Sequence, residues 1–125
     1  MKHILWLPYS KPPLSMNQRL HWAKRNTLTQ DIRQAAKLLA RSARLPKGLD
    51  HVTVGLHYAP GDNRRRDSDN LTPILKAACD GLVDYGLTDD DTHQQMTKHM
   101  AVIHPAMKTP PGPNGSRLWL TIETT

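Results

Sequence analysis

The residues best equipped for chemistry sit in one short stretch, "NRRRDSDNLTPILKAACDGLVDYGLTDDD", from Asn63 to Asp91. Asp67 and Asp69 lie two residues apart behind the run Arg64, Arg65, Arg66, Lys76 follows, and Asp89, Asp90 and Asp91 close the stretch. The chain carries 17 Lys+Arg against 11 Asp+Glu, yet eight of those acids fall between Asp62 and Asp91. Crowding like charges adds no stability by itself, so the pattern points to a bound cation. Hard divalent cations such as Mg²⁺ take oxygen ligands, above all carboxylates, and keep some of their waters. In an extended segment Asp67 and Asp69 would point to one side. A third carboxylate, from Asp89, Asp90 or Asp91, must come from beyond the following helix. Such a site polarises a phosphodiester and acidifies a water. An ammonium at Lys76 would stabilise charge on the phosphate or position the water. Arg64, Arg65 and Arg66 would neutralise flanking phosphates. The competing reading of each fragment is bland: Asp-x-Asp is common, and an acidic run after a helix is often a solvated loop.

The elements that must position these groups follow from periodicity. Ile4 to Tyr9 is a short apolar run stopped by Lys11-Pro12-Pro13 and reads as a strand. Ser15 to Asn26 is a polar loop carrying Asn17, Arg19, His21, Trp22, Lys24 and Arg25. Leu28, Ile32, Ala35, Ala36, Leu39 and Ala43 share a helical face, with Thr27 or Thr29 as cap and Pro46 and Gly48 as stop. Arg33, Lys37, Arg41 and Arg44 occupy the other face, for solvent or for DNA backbone. Val52, Val54, Leu56 and Tyr58 alternate along a half-buried strand, and Pro60-Gly61-Asp62-Asn63 turns the chain. A second helix runs through Leu71, Ile74, Leu75, Ala78, Leu82 and Tyr85, with Thr72 as N-cap, Pro73 at the first helical position and Gly86 as C-cap. Gln95 to His104 and Ser116 to Thr124 read as strands on either side of the Pro/Gly-rich loop Pro105 to Gly115. The order strand, helix, strand, helix, strand, strand predicts one α+β domain over residues 1–125, two helices packed on a small mixed sheet.

Composition narrows the function classes. A 125-residue chain fits one modest core; hydrophobic residues make up 38% and Phe is absent, which leaves room for stabilisation by a partner chain. A net charge of +6 favours a polyanionic partner. The single cysteine, Cys79, permits no internal disulfide and falls in an apolar helical pattern, where a packed thiol is expected. The N-terminal run lacks the pattern of a signal peptide, and no stretch approaches the ~20 apolar residues that span a bilayer. The expectation is a soluble cytoplasmic protein. The seven histidines form no zinc-binding spacing, and neither a Gly-x-Ser-x-Gly elbow nor a Walker A loop is present.

The segments "RRRDSDNL", "LKAACDGL" and "GLTDDD", with "SMNQRLHWAKR" nearer the N-terminus, resemble the RusA family of Holliday-junction resolvases of bacteria and their phages. With the strand and helix order, the resemblance covers most of the chain, the C-terminal strands matching only in kind. It implies a homodimeric, Mg²⁺-dependent endonuclease of α+β fold, Mn²⁺ substituting, which resolves four-way junctions by paired nicks in recombination and repair. Other branched substrates such as flaps or forks, or binding without cutting, are the alternatives. The family's first two metal-binding aspartates fall on Asp67 and Asp69, its essential lysine on Lys76 and its third aspartate on Asp91, with Asp90 beside it. Asp80 matches a helix aspartate suited to capping or ion pairing. DNA contacts are expected from Arg64, Arg65, Arg66, Asn17, Arg19, Lys24 and Arg25. One departure stands out: about three extra residues around Thr72-Pro73-Ile74 precede Lys76. They form either an added helical turn, which moves Lys76 ~5 Å along the axis, or extra loop before the helix. Two-fold symmetry would supply one site for each strand to be cut.

Overall fold

The computed structural model describes residues 1–124. Its elements are β1 (Lys2–Leu7), α1 (Trp22–Ser42), β2 (Val52–Tyr58), α2 (Thr72–Tyr85), β3 (Met96–Lys98), β4 (Val102–Ile103) and β5 (Leu118–Thr124). Short 3-10 turns precede α2 at Ser68–Leu71 and β5 at Pro113–Gly115. β5 runs antiparallel to both β1 and β2, and β2 carries β3 and β4 in parallel along its far edge. Two helices on a mixed five-stranded sheet make this an α+β domain, as expected.

The alternation in the strands places the core. Val52, Val54, Leu56 and Tyr58 of β2 join Leu118, Leu120 and Ile122 of β5 and Leu5 and Leu7 of β1 on the sheet face that the helices cover. Ile32, Ala36 and Ala40 of α1 and Ile74, Ala78 and Leu82 of α2 meet that face. Cys79 is fully buried among them, its thiol pushed up to about 12 chiefly by burial, as suits the packed thiol expected from the helical pattern. Helix α2 links the parallel strands β2 and β3, so the stretch bearing the acids is a crossover connection.

The opposite sheet face carries Trp6, Trp119, His57 and His104, with Ile4 and Val102 left 52% and 44% exposed. His57 Nδ1 lies 2.9 Å from His104 Nε2, and its Nε2 lies 3.1 Å from Thr121 Oγ1. Burial, then the neighbouring charges of His104 and Lys2, hold His57 below the usual imidazole range. Arg117 secures the Pro/Gly-rich loop by donating to the carbonyls of Ala59, Met107 and Lys108 at 2.8–3.1 Å.

Several boundaries differ from the periodic reading. Helix α1 begins at Trp22, capped by His21 Nδ1, which accepts from the Ala23 amide at 3.2 Å. Thr27 and Thr29 therefore lie inside the helix, where their hydroxyls donate back to the carbonyls of Ala23 and Arg25. Trp22 and Ala23 of the first turn are exposed and lie outside the buried stripe, so periodicity marked the start late. Ala43 is exposed and Ala40 buried, because the helix ends at Ser42. Arg33 is ion-paired while still 38% exposed: its guanidinium grips both oxygens of Asp84 at 2.5 and 2.8 Å and ties α1 to α2. The strand expected over Gln95 to His104 splits into β3 and β4, since Met96 is buried but Met100 is exposed and the alternation fails between them.

Candidate functional site

The turn after β2 is organised by Asp62. Its Oδ1 accepts from the Arg64 amide at 3.0 Å and from Arg66 Nη2 at 2.8 Å, and these bonds hold the carboxyl down to about 2. Arg66 also donates to the carbonyls of Asp62 and Arg64 and lies over the Tyr58 ring, 5.7 Å from its centroid. Arg64 and Arg66 thus shape the loop. Arg65, between them, has no side-chain partner among the described residues.

Asp67 and Asp69 are not both in extended backbone, so the expected same-side geometry does not arise that way. Asp67 is extended, with φ −116° and ψ 126°, and its Oδ1 accepts from the Asp69 amide at 3.0 Å. It caps the 3-10 turn that holds Asp69, and this turn runs directly into α2. Leu71 therefore stands at the N-cap, in place of the expected Thr72, and Pro73 falls in the first turn, where a missing amide costs little. Residues 72–74 are helical, so the three extra residues lengthen α2 and do not extend the loop. Asp69 is exposed, and its carboxylate makes no protein hydrogen bond among the described residues.

A second cluster lies farther along α2. Lys76 Nζ donates to Asp80 Oδ1 at 2.9 Å and to Asp91 Oδ2 at 2.8 Å, and Lys98 Nζ reaches the same Asp91 oxygen at 2.7 Å. Two ammonium groups hold Asp91 well below the usual carboxylate range, and its partners hold Lys76 above the usual ammonium range. Asp90 does not face this cluster. Its Oδ1 accepts from the Asp91 amide at 2.8 Å, and its carbonyl accepts from Thr88 Oγ1 at 2.7 Å, so it shapes the turn that presents Asp91. Gly86 ends α2 at φ 100°, a conformation open to glycine, and so aims the chain toward that turn. Lys98 escaped the sequence reading, because only the pairing of β3 with β2 brings it across from α2.

Among the described residues no group of three or more His, Cys, Asp or Glu side chains gathers where one cation would touch them all. Asp91 is bound to Lys76 and Lys98, and Asp80 to Lys76, whereas the Asp69 carboxylate has no partner among the described residues. Asn17 lines a cleft with Arg65, Arg66 and Asp67 and accepts from Ser15 Oγ at 2.7 Å. Arg25 is structural, donating to the Ser15 carbonyl at 3.1 Å, whereas Arg19 and Lys24 are exposed. Lys11 joins Arg64, Arg65 and Asp67 around an adjoining cleft that periodicity could not have assembled.

The ion cluster makes its own prediction. Asp91→Asn removes the shared carboxylate of a partly buried triad and should cost about 1–2 kcal/mol at neutral pH. Because the folded Asp91 is depressed below the unfolded value of ~3.9, this stability is present above about pH 4 and is lost as pH falls toward the folded value. Thermal melts of both proteins should show a gap that is steady at neutral pH and narrows in acid. A gap constant down to about pH 2.5 would show that the ion pairs contribute nothing.

No protein-family model matches the chain, and no curated protein matches it. No helix among the described residues is long and apolar enough to cross a membrane.

Proposed function

We propose that this protein is a Mg²⁺-dependent endodeoxyribonuclease that nicks branched DNA, with the four-way junction as its substrate and a homodimer as its working form in the cytoplasm. The observation that carries the reading is the pair Asp67 and Asp69, exposed behind three arginines and beside a cleft rimmed by Lys11 and Arg65. Carboxylates in a basic surface suit a cation held against a phosphodiester. The donor set fits Mg²⁺, which takes one or two carboxylates together with substrate phosphate and keeps several waters. Asp69 has both oxygens uncommitted, and Asp67 uses only Oδ1. Bound Mg²⁺ supplies charge neutralisation at the phosphate and a more acidic water.

The chain's own groups do the rest. Arg65 and Lys11 hold the phosphate backbone, and Arg64 and Arg66 keep the loop in place through Asp62. Lys76, held by Asp80 and Asp91, sets a positive charge on the exposed side of α2 for a neighbouring phosphate. Asp91 acts through Lys76 and Lys98 and is a positioning residue in this arrangement. The open sheet face, with Ile4 and Val102 exposed, supports a second copy as partner, and two copies would give one site per strand.

The test is cleavage of a labelled four-way junction beside flap, fork and duplex controls, with Mg²⁺ or with EDTA. Paired nicks confined to the junction and abolished by EDTA are the expected result. Faster cutting of flaps or forks would keep the chemistry and change the substrate. Binding without nicking in either Mg²⁺ or Mn²⁺ would refute the enzyme reading.

A further inference from the structure

The cleft that Asp67 helps to line mixes charged and apolar residues. It encloses about 320 Å³, near the small end of the ~300–1,000 Å³ typical of small-molecule sites. Its charged lining is Lys11, the three arginines and Asp67. Its apolar lining is Pro12 and Ile103, with the largely buried Leu71 and Tyr58 beneath. Arg64 and Arg66 are committed to Asp62 at 3.3 and 2.8 Å, and Arg66 leans over Tyr58. Lys11 and Arg65 form no ion pair among the described residues, and both line the cleft together with the Asp67 carboxylate. The half-buried Asn70 side-chain amide also lines the cleft and has no protein hydrogen bond among the described residues.

A surface that only gripped duplex phosphates would need the cations and not the wall. Stacked bases inside a duplex never reach such a wall, whereas an unpaired base presents an apolar face and a polar edge next to its phosphate. The lining matches each part of that ligand. Lys11 and Arg65 suit the phosphate, Pro12, Leu71 and Ile103 the flat face, and the Asn70 amide the edge, where it can both donate and accept. Building on the nuclease reading above, we infer that the cleft receives one unstacked nucleotide of the DNA strand, immediately beside the backbone presented to Asp67 and Asp69. Branch points, where stacking is already interrupted, provide that nucleotide at the lowest cost, so the cleft is a source of preference for branched over duplex DNA.

The experiment places 2-aminopurine singly at each position flanking the branch point of a four-way junction and follows its fluorescence on binding of the full chain in EDTA. Unstacking should raise the emission at least about twofold at one position. Ile103→Trp, which fills the cleft without changing charge, should abolish the rise. It should also weaken junction binding roughly tenfold while leaving duplex binding nearly unchanged. Lys11→Ala, at an exposed position that tolerates substitution, should reduce the rise and weaken the junction more than the duplex. A junction that is bound and nicked by the wild type with no change in emission at any position overturns the inference and spares the nuclease reading. Equal weakening of junction and duplex by Lys11→Ala also overturns it, reducing Lys11 to a general phosphate contact. A wild type that binds no DNA overturns both readings together.

Discussion

Asp69→Asn is expected to lower junction nicking by on the order of 10³-fold while leaving the fold and the binding of DNA intact. The size of the effect follows from the chemistry assigned to this carboxylate. An amide of the same shape carries no charge, so it holds a hard divalent cation poorly, and the phosphate loses its neutralising partner. The expected innocence elsewhere follows from the structure. Asp69 is exposed, and its carboxylate bonds to nothing among the described residues, so the substitution should shift stability by no more than about 0.5 kcal/mol. Its backbone amide, which Asp67 caps, is untouched. Removing a negative charge next to phosphate should keep or tighten junction affinity. Single-turnover cleavage, gel-shift titration and a thermal melt on one preparation separate these effects. Loss of binding alongside cleavage in a folded variant would mean that Asp69 supports the DNA-binding surface and not the reaction. Undiminished cleavage would remove the Asp67–Asp69 pair from the chemistry altogether.

Gly81→Ala should be the most destabilising single-methyl change in the helical layer. A Cβ at this position would lie 2.1 Å from the Arg33 carbonyl oxygen and 3.0 Å from Ala36 Cβ. The obstacle is the backbone of α1, which cannot swing aside as a side chain can. Alanine is intrinsically better than glycine in a helix by about 1 kcal/mol, but overpacking a tight contact costs about 1–3 kcal/mol and more where backbone must move. A net loss near 3 kcal/mol is expected, a fall of roughly 10 °C in Tm for a domain of this size. The same displacement would strain the Arg33–Asp84 bridge and shift Lys76, one and a half turns earlier on α2, relative to Asp91. Melting curves beside an exposed control, Leu38→Ala, give the comparison. A Tm equal to or above that of the wild type would mean that the two helices do not approach at Gly81.

The site was only partly legible in the sequence. Periods of 2 and 3.6 residues are local, so both helices, the alternating faces of β2 and β5 and the Gly86 cap could be read without any distant contact. The crowding of acids behind Arg64–Arg66 and the basic balance of the whole chain are likewise properties of the string of residues, and they mark where the proposed chemistry would lie. Helix α1 began earlier than its apolar pattern because a histidine cap and an exposed first turn leave no periodic trace. Asp67 had no mark as a cap, since an aspartate that closes a 3-10 turn looks like one that holds a metal.

What the tertiary structure alone decided is how the charged groups are shared out. Lys98 meets Asp91 because β3 pairs in parallel with β2 after the α2 crossover, a register that no local spacing encodes. Lys11 meets Arg65 across a cleft formed by segments more than fifty residues apart in the chain. Ion pairs act over a few ångströms of space, while composition and periodicity act along the chain. The sequence therefore determined that this protein gathers acids within a basic surface, and the fold determined which acids stay open to a cation and which are already held by lysine.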